Sequence, residues 1–195
     1  MKKKFALIGH RVPSHGKLNL NDLAGSCGRL DVVLRSVNTA LFLSHGIRDD
    51  VEVVLHFMGG EKKPRRIWID SSNVKGLHAD ERSIAGQISK ILQTPLPPIG
   101  MKYELQNGIF HGQGTLEDTL SEWKNEDVVP IHLDINGNII SEDLKKYENI
   151  GFIISDDQPF NDDEISLLSE VKKISIGKKW IQGHSVIAIL HHYMD

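Results

Sequence analysis

The chain has 195 residues, of which 39% are hydrophobic and 25% charged, as in an ordinary soluble globular protein. No apolar run approaches the roughly 20 residues that a membrane span needs, and no signal-peptide core follows the basic start. We therefore expect a cytoplasmic protein with no membrane partner. The net charge is −3, but the first 90 residues hold 15 Lys and Arg against 9 Asp and Glu, an excess of positive charge that suits a nucleic acid or simply a solvated surface.

The cysteine and histidine content argues against a metal site. Cys27 is the only cysteine, which excludes an intrachain disulfide and a cysteine-based zinc site within one chain. The ten histidines do not follow the HExxH spacing. Even the adjacent His191 and His192 are more simply interpreted as ordinary surface or core residues. We expect no bound metal.

The first 92 residues predict three strands and two helices. Apolar runs bounded by loops or glycines indicate the strands, and apolar residues at helical spacing indicate the helices. In chain order, these elements are a strand around 5–8, a helix from 30 to about 44 with Gly46 as its C-terminal stop, strands at 51–58 and 66–70, and a helix that Asp80 and Glu81 open and that continues to Leu92.

The second half of the chain predicts shorter elements. Residues 95–114 carry three prolines and four glycines, which indicates a loop or short irregular strands. Thr115 to Asp118 resembles a capping box and predicts a helix start. The remaining elements are a strand at 128–134, a turn at 135–138, a short helix at 141–147, a strand at 150–156, a helix at 161–171, a strand at 174–176, a loop to Gly183 and a final helix that is apolar on more than one side.

Strands that alternate with helices predict an α/β fold with a mainly parallel sheet flanked by helices. Ligands of such folds bind at the carboxyl ends of the strands. The loops after Asp134, Ser155 and Ile176 are therefore the expected pocket. Neither a GxGxxG motif after a strand, nor a P-loop, nor a GxSxG elbow is present, so the two common phosphate cradles and a serine hydrolase are disfavoured.

The richest polar cluster lies at residues 25–35. Asp31 and Arg35 are four residues apart on one helix face, and Arg29 lies at the start of the helix. These side chains can meet an anion or the edge of a base. The residues alone favour the simpler interpretation of a helix-stabilising ion pair, because exposed pairs with this spacing are common and weak.

Four segments give the chain a family resemblance. NLNDLAGSCGRLDVVLRSVNTALFLSHGIRDDV, ADERSIA, IISDD and ISIGKKWIQGHSVIAILHHYMD resemble, in this order, the archaeal tRNA pseudouridine N1-methyltransferases of the SPOUT superfamily. The resemblance implies S-adenosyl-L-methionine as cofactor and N1 of a pseudouridine in the tRNA T loop as the methylated atom. It also implies a homodimer and one SPOUT domain over residues 1–195. In that domain the cofactor binds in a C-terminal trefoil knot formed by about 128–195.

The resemblance also implies the cofactor contacts. They fall on Leu133, Ser155, Ser175, Ile176, Gly177, Lys178, Lys179, Trp180 and Ser185. Two of these positions depart from the family pattern, since Ser155 replaces an expected glycine and Ser185 an expected cysteine. Each serine places a hydroxyl next to the cofactor.

Arg29 and Asp31 resemble, in addition, a motif of ribosome-biogenesis N1-pseudouridine methyltransferases. In that light Asp31 accepts a hydrogen bond from the base or takes the N1 proton, and Arg29 stabilises charge on the carbonyls or holds a phosphate. The candidates for contact with the RNA backbone are Arg35, Arg82, Arg65 and Arg66. Two alternatives stay open: a non-catalytic RNA-binding or assembly protein on the same fold, and a methyltransferase of ribosomal RNA.

Overall fold

The computed structural model describes residues 1–195 as ten β-strands, five α-helices and one short 3-10 helix. The strands are β1 (Lys2–Pro13), β2 (Phe42–Leu43), β3 (Gly46–Ile47), β4 (Val51–Gly59), β5 (Arg65–Asp70), β6 (Lys102–Gln106), β7 (Ile109–Gln113), β8 (Val129–Ile139), β9 (Asn149–Ser155) and β10 (Lys172–Ser175). The helices are α1 (Leu30–Leu41), α2 (Glu81–Leu92), α3 (Leu116–Asn125), α4 (Asp162–Leu167) and α5 (Gly183–Met194), with the 3-10 helix at Glu142–Lys146. None of the helices has the length and apolar character that crossing a bilayer requires.

Eight strands form one mixed sheet in the order β10-β8-β9-β1-β4-β5-β7-β6. The first five of these pair in parallel, whereas β5, β7 and β6 join antiparallel to their neighbours. The predicted α/β fold with a mainly parallel sheet is therefore confirmed, with an antiparallel extension on one side. The five parallel strands end at the same edge of the sheet, which we call the carboxyl edge.

Helices cover both faces of the sheet, and the alternating side chains of the central strand β1 show this directly. Phe5 and Leu7 belong to the larger apolar cluster, which includes residues of α1, α2 and α5. Ala6 and Ile8 belong to a second cluster with residues of α3 and with Leu168, which follows α4. Because both faces are covered, β1 and β4 are almost wholly buried, which suits continuous apolar runs in parallel strands.

The predicted helix starts agree well with the structure. Asp80 is the N-cap of α2 and accepts a backbone hydrogen bond from its first turn. Thr115 and Asp118 form the predicted capping box of α3. The end of α1 differs, because the helix stops at Leu41 and Gly46 pairs in the β2–β3 hairpin instead of capping the helix.

Two other regions can be compared with their predictions. Residues 95–114 contain the hairpin β6–β7, whose two strands have five residues each and pair irregularly between Glu104 and Gln106, which agrees with the alternative of short irregular strands. The hairpin extends the antiparallel side of the sheet. The predicted turn at 135–138 does not end β8, which pairs with β10 through His132, leaves the register over 133–137 and resumes pairing at Asn138. Gly137 permits this excursion, because a Cβ there would lie 2.6 Å from the backbone of Ile174. Pairing with a distant strand thus overrides a local turn signal.

Candidate active site

A cleft of about 740 Å³ opens at the carboxyl edge of the parallel strands. Its walls are the connections that follow β8, β9 and β10, as the α/β topology predicts. Helices α1, α4 and α5 also contribute to the lining, which includes Arg29 just before α1 and Gly183 at the start of α5. The prediction that the loops after Asp134, Ser155 and Ile176 meet at one pocket is therefore confirmed.

Most of the residues predicted to contact a cofactor lie in this cleft. Those that line it are Leu133, Ser155, Ser175, Ile176, Gly177, Lys179 and Trp180. Lys178 and Ser185 are not part of the lining, since Lys178 is exposed and Ser185 lies in the first turn of α5. The hydroxyl of Ser155 donates to the carbonyl oxygen of Gln158 in its own loop. The extra hydroxyl at this position is therefore satisfied within the protein.

The loop after β10 is shaped by its own short-range hydrogen bonds. The hydroxyl of Ser175 donates to the carbonyl oxygen of Gly177 at 2.8 Å and accepts from the Gly177 N–H at 3.2 Å. Gly177 has a φ of 142°, a region that favours glycine. Because its own hydrogen bonds already order this turn, the turn would lose little conformational entropy if a small molecule bound to it.

The chain enters α1 through a left-handed turn at Gly28 and Arg29, whose φ values are 60° and 64°. Gly28 packs directly on β1, and a Cβ there would lie 2.0 Å from the carbonyl oxygen of Arg11. A positive φ at a non-glycine residue is uncommon, and such strain clusters at functional sites. The turn places Arg29 between the cleft and the first turn of α1.

Arg29 and Arg35 hold the carboxylate of Asp31 from two sides. Arg29 binds it bidentately, with Nε 2.9 Å from Oδ1 and Nη2 3.2 Å from Oδ2. Arg35, one turn further along α1, also donates to Oδ2, so the predicted ion pair is present. The hydrogen bond from Arg29, together with the positive charge of both arginines, lowers the pKa of Asp31 below its usual value. Asp31 is therefore ionised at neutral pH.

The same arginines connect α1 to two of the cleft loops. Nη1 of Arg29 lies 3.7 Å from Oδ2 of Asp157, in the loop after β9, and Arg11 pairs with the same carboxylate. Nη1 of Arg35 lies 3.4 Å from Oε1 of Gln182, just before α5. The charged cluster and the cleft thus form one connected site.

Beneath the loop after β9 lies a charged group that the sequence analysis missed. The ring of His10, in β1, bridges two carboxylates, with Nδ1 2.9 Å from Oδ1 of Asp156 and Nε2 2.9 Å from Oε2 of Glu164. Hydrogen bonding to Asp156 and then to Glu164 raises the pKa of His10 to about 9. The acidic pair that follows β9 was the only signal in the sequence, and it gives no indication of a histidine 146 positions away.

The four arginines predicted to bind RNA separate into two pairs. Arg82 is exposed, and Arg35 is partly exposed beside the cleft. Arg65 and Arg66 are 0% and 5% exposed, which contradicts the prediction that they face RNA. Arg65 donates to the carbonyl groups at the end of α2, and Arg66 pairs with Glu122 on α3. Both are interior residues because β5 has strands on either side and helices over its faces.

The fold and the cleft together define an α/β protein with an open cleft at the carboxyl edge of its sheet, next to a carboxylate that two arginines hold. No group of three or more His, Cys, Asp or Glu side chains is arranged to hold a metal ion. A family model described as a SAM-dependent RNA methyltransferase matches residues 1–195. This match places the chain in the class of S-adenosylmethionine-dependent RNA methyltransferases.

Archaeal relatives identify the family more closely. The tRNA (pseudouridine(54)-N(1))-methyltransferase of Methanococcoides burtonii is 34% identical, over 99% of this chain and 96% of the relative. The enzymes of the same name from Methanocella arvoryzae and Haloferax volcanii are 33% and 34% identical, each over 99% of this chain and over 98% and 96% of the relative. The chain belongs to the family of tRNA pseudouridine N1-methyltransferases.

A solved structure supports the fold independently of close sequence similarity. Archaeoglobus fulgidus Nep1 bound to S-adenosylhomocysteine superposes with a TM-score of 0.69 over 100% of this chain and 97% of that chain. The two sequences share 14% identity. The likeness therefore concerns the fold alone.

Proposed function

We propose that the protein transfers the methyl group of S-adenosylmethionine to N1 of a pseudouridine in the T loop of tRNA. The observation that carries this proposal is the ionised Asp31, which Arg29 and Arg35 hold beside the cleft. The family and the names of the relatives support it. Those names place the modified nucleotide at position 54, which we extend to this protein.

The residues of the cleft fit S-adenosylmethionine. A volume of about 740 Å³ is within the usual range for small-molecule sites. Ile154, Ile176 and Val186 line the cleft with apolar surface for an adenosyl group, and the preformed turn after β10 offers backbone groups to its polar edge. Asp134 and Asp157 also line the cleft and complement a positive charge. Bound there, the cofactor supplies a methyl group on a positively charged sulfur.

Asp31 is suited to orient the target base. An ionised carboxylate offers about four acceptor positions, and the two arginines occupy three of them. The remaining position, on Oδ1, accepts the imide N–H of the base, which leaves N1 turned towards the cleft. Because its pKa is lowered, Asp31 is a weak proton acceptor. Its role in the proposal is therefore orientation rather than removal of the N1 proton.

Arg29 provides the electrostatic part of the proposed mechanism. It lines the cleft and touches both Asp31 and Asp157. Its guanidinium would stabilise the negative charge that grows on the base carbonyls as N1 gives its proton to solvent water and accepts the methyl group, the cofactor sulfur keeping the electron pair of the broken bond. The alignment of N1 with the methyl group contributes further, because it replaces an encounter of two free molecules by a fixed approach. Arg35 and Arg82 are the proposed contacts to the RNA backbone.

The proposal also includes the finer features of the family. Residues 1–195 form one SPOUT domain, about 128–195 form a C-terminal trefoil knot, and two copies form a homodimer in the cytoplasm, where tRNA is found. The likeness to Nep1 in overall fold supports the domain assignment. Trp180 and Ile181, which are 78% and 41% exposed at the cleft, support the dimer, since a partner subunit would cover this apolar surface.

Methyl transfer to two T-arm RNAs tests the proposed function. One RNA carries pseudouridine at the target position and the other uridine. We expect transfer to the pseudouridine RNA alone, because N1 of uridine is bonded to the ribose and has no proton to exchange. Nucleoside mass spectrometry locates the methyl group. Equal transfer to both RNAs, or to neither, contradicts the proposal.

Two controls separate the alternatives. A fragment of ribosomal RNA with an accessible pseudouridine should be a poor substrate, and preferred methylation of that fragment would favour a ribosomal methyltransferase. Calorimetry with S-adenosylmethionine should show binding. RNA binding without any cofactor binding would favour a non-catalytic RNA-binding protein on the same fold.

A further inference from the structure

We propose that His10 is a positioning residue for the cofactor site, because it joins Asp156 to Glu164 and so fixes the loop that forms one wall of the cleft. This inference rests on the proposed function, since it takes the cleft to be the cofactor site. No local sequence pattern marks His10, which lies on β1 and is held between a loop and a helix that follow much later in the chain.

The first half of the bridge is a fully buried carboxylate. Asp156 has a side chain that is 0% exposed and follows β9 directly. Its oxygens accept from the backbone N–H and the ring of His10, both at 2.9 Å, and from the backbone N–H of Gln158, also at 2.9 Å. Its own N–H donates to the carbonyl oxygen of Ile8 at 3.0 Å. The start of the loop is therefore fastened to β1 at several points.

The second half of the bridge fastens the far end of the same loop. Glu164 lies in α4, its side chain is 6% exposed, and it accepts from the backbone N–H of Asn161 in a capping box. Phe160 packs its ring edge against His10 and, with centroids 5.3 Å apart, against His132. The stretch between the two carboxylates, together with Ser155 before it, lines the cleft from Ser155 to Phe160. The imidazole of His10 thus contacts a carboxylate at each end of the loop that forms this wall of the cleft.

Only the protonated ring can make this bridge. An imidazolium donates from both nitrogens, whereas a neutral ring donates from one and presents a lone pair at the other. One of two nearly buried carboxylates would then face that lone pair, which is costly in a poorly solvated site. The pKa of about 9 agrees with a ring that stays charged at neutral pH. The charged and titratable groups around His10 are Asp156 and Asp157 in the loop, Glu164 on α4, His132 on β8, Arg29 before α1 and Arg11 on its own strand.

The test measures the affinity for S-adenosylhomocysteine between pH 6 and 10 by calorimetry. We expect His10→Gln to bind S-adenosylhomocysteine about tenfold or more weakly at pH 7, because both N–H donors of glutamine lie on one nitrogen, whereas the carboxylates meet two different ring nitrogens of His10. The wild-type protein should lose affinity as the pH rises through about 9, where His10 loses its proton. The α-amino group of the ligand also titrates in alkaline solution, so the ratio of wild-type to His10→Gln affinity is the quantity to compare. That ratio should fall towards one above pH 9.

A second variant, Glu164→Gln, keeps the test decisive if His10→Gln folds poorly. It retains an oxygen that can accept from Asn161 but removes one of the two negative charges that raise the pKa of His10. The affinity of this variant for S-adenosylhomocysteine should match that of the wild type at pH 6. As the pH is raised, the variant should lose affinity at a lower pH than the wild type does. If packing alone held the loop in place, the pH at which the affinity for S-adenosylhomocysteine falls would be the same in this variant as in the wild type.

Turnover measurements and a matched control complete the test. In His10→Gln the KM for S-adenosylmethionine should rise with the affinity loss, whereas kcat at saturating cofactor should stay within about twofold. His45→Gln, which removes an exposed histidine in the β2–β3 turn, should behave as the wild type. Equal affinities of the wild type and both variants at every pH would overturn the inference alone. Absence of cofactor binding by the wild type would overturn the proposed function and the inference with it.

Discussion

Replacing Asp31 by asparagine is expected to lower kcat by about 10²–10³-fold while the affinity for S-adenosylmethionine changes by less than about threefold. The substitution removes the charge that Arg29 and Arg35 hold in place, and it puts an amide donor where both arginines need an acceptor. Asp31 itself is not part of the cleft lining, so the cofactor loops keep their contacts. Single-turnover methyl transfer measures the rate, and calorimetry measures the affinity.

Two further variants show whether the effect belongs to the charge at this position. Asp31→Glu retains the charge on a longer side chain and should recover part of the rate. Asp49→Asn, which neutralises an exposed carboxylate before β4, should leave both quantities unchanged. Wild-type turnover in Asp31→Asn would remove Asp31 from the mechanism.

Replacing Gly28 by alanine is expected to destabilise the protein by roughly 3 kcal/mol and to abolish most of the methyl transfer. The new Cβ would lie 2.0 Å from the carbonyl oxygen of Arg11, and the three nearest atoms are all backbone atoms of Arg11 and Val12, which cannot move aside as a flexible side chain can. Because Gly28 sets the turn that presents Arg29, any shift that relieves the contact also moves Arg29 away from Asp31. Urea unfolding measures the loss of stability.

A control at another glycine separates this contact from simple backbone strain. Gly100 has a φ of 78°, and a Cβ there would meet nothing within 4 Å. Gly100→Ala should therefore cost only about 1 kcal/mol and leave methyl transfer intact. Equal losses of stability in the two variants would mean that the contact with Arg11 contributes nothing.

Features of the fold that depend on neighbouring residues were predictable from the sequence. Asp80 and the capping box at Thr115 mark helix starts because a cap acts on the first turn of its own helix. The end of α1 and the predicted turn at 135–138 depend instead on pairing. Gly46 was free to cap a helix but pairs in a hairpin, and Asn138 resumes a ladder with a strand more than thirty residues later.

The candidate site likewise has features that the sequence predicts and features that it does not. The position of the cleft follows from topology alone, because every parallel strand delivers its next loop to the same edge. The burial of Arg65 depends on strands and helices around β5, which no local charge pattern reveals. The bridge made by His10 joins β1 to a loop and a helix that lie 146 and 154 positions later in the chain. The left-handed turn at Gly28 and Arg29 packs against β1, which is also distant in sequence from α1. Sequence therefore indicated which loops meet but not how their charges are paired.

Between His132 and Asn138, strand β8 leaves its pairing with β10. One continuous stretch of chain therefore belongs both to the edge of the sheet and to the wall of the cleft. Its residues 133–135 line the cleft, while the pairs on either side of it hold the short edge strand β10. An edge strand of four residues is the kind of unit that opens locally long before the whole protein unfolds. A ligand that binds only the closed segment lowers the equilibrium constant for this opening by a factor of 1 + [L]/Kd. The amide hydrogens of β10 should therefore exchange with solvent more slowly by this same factor as cofactor is added, so that their exchange rates report cofactor binding.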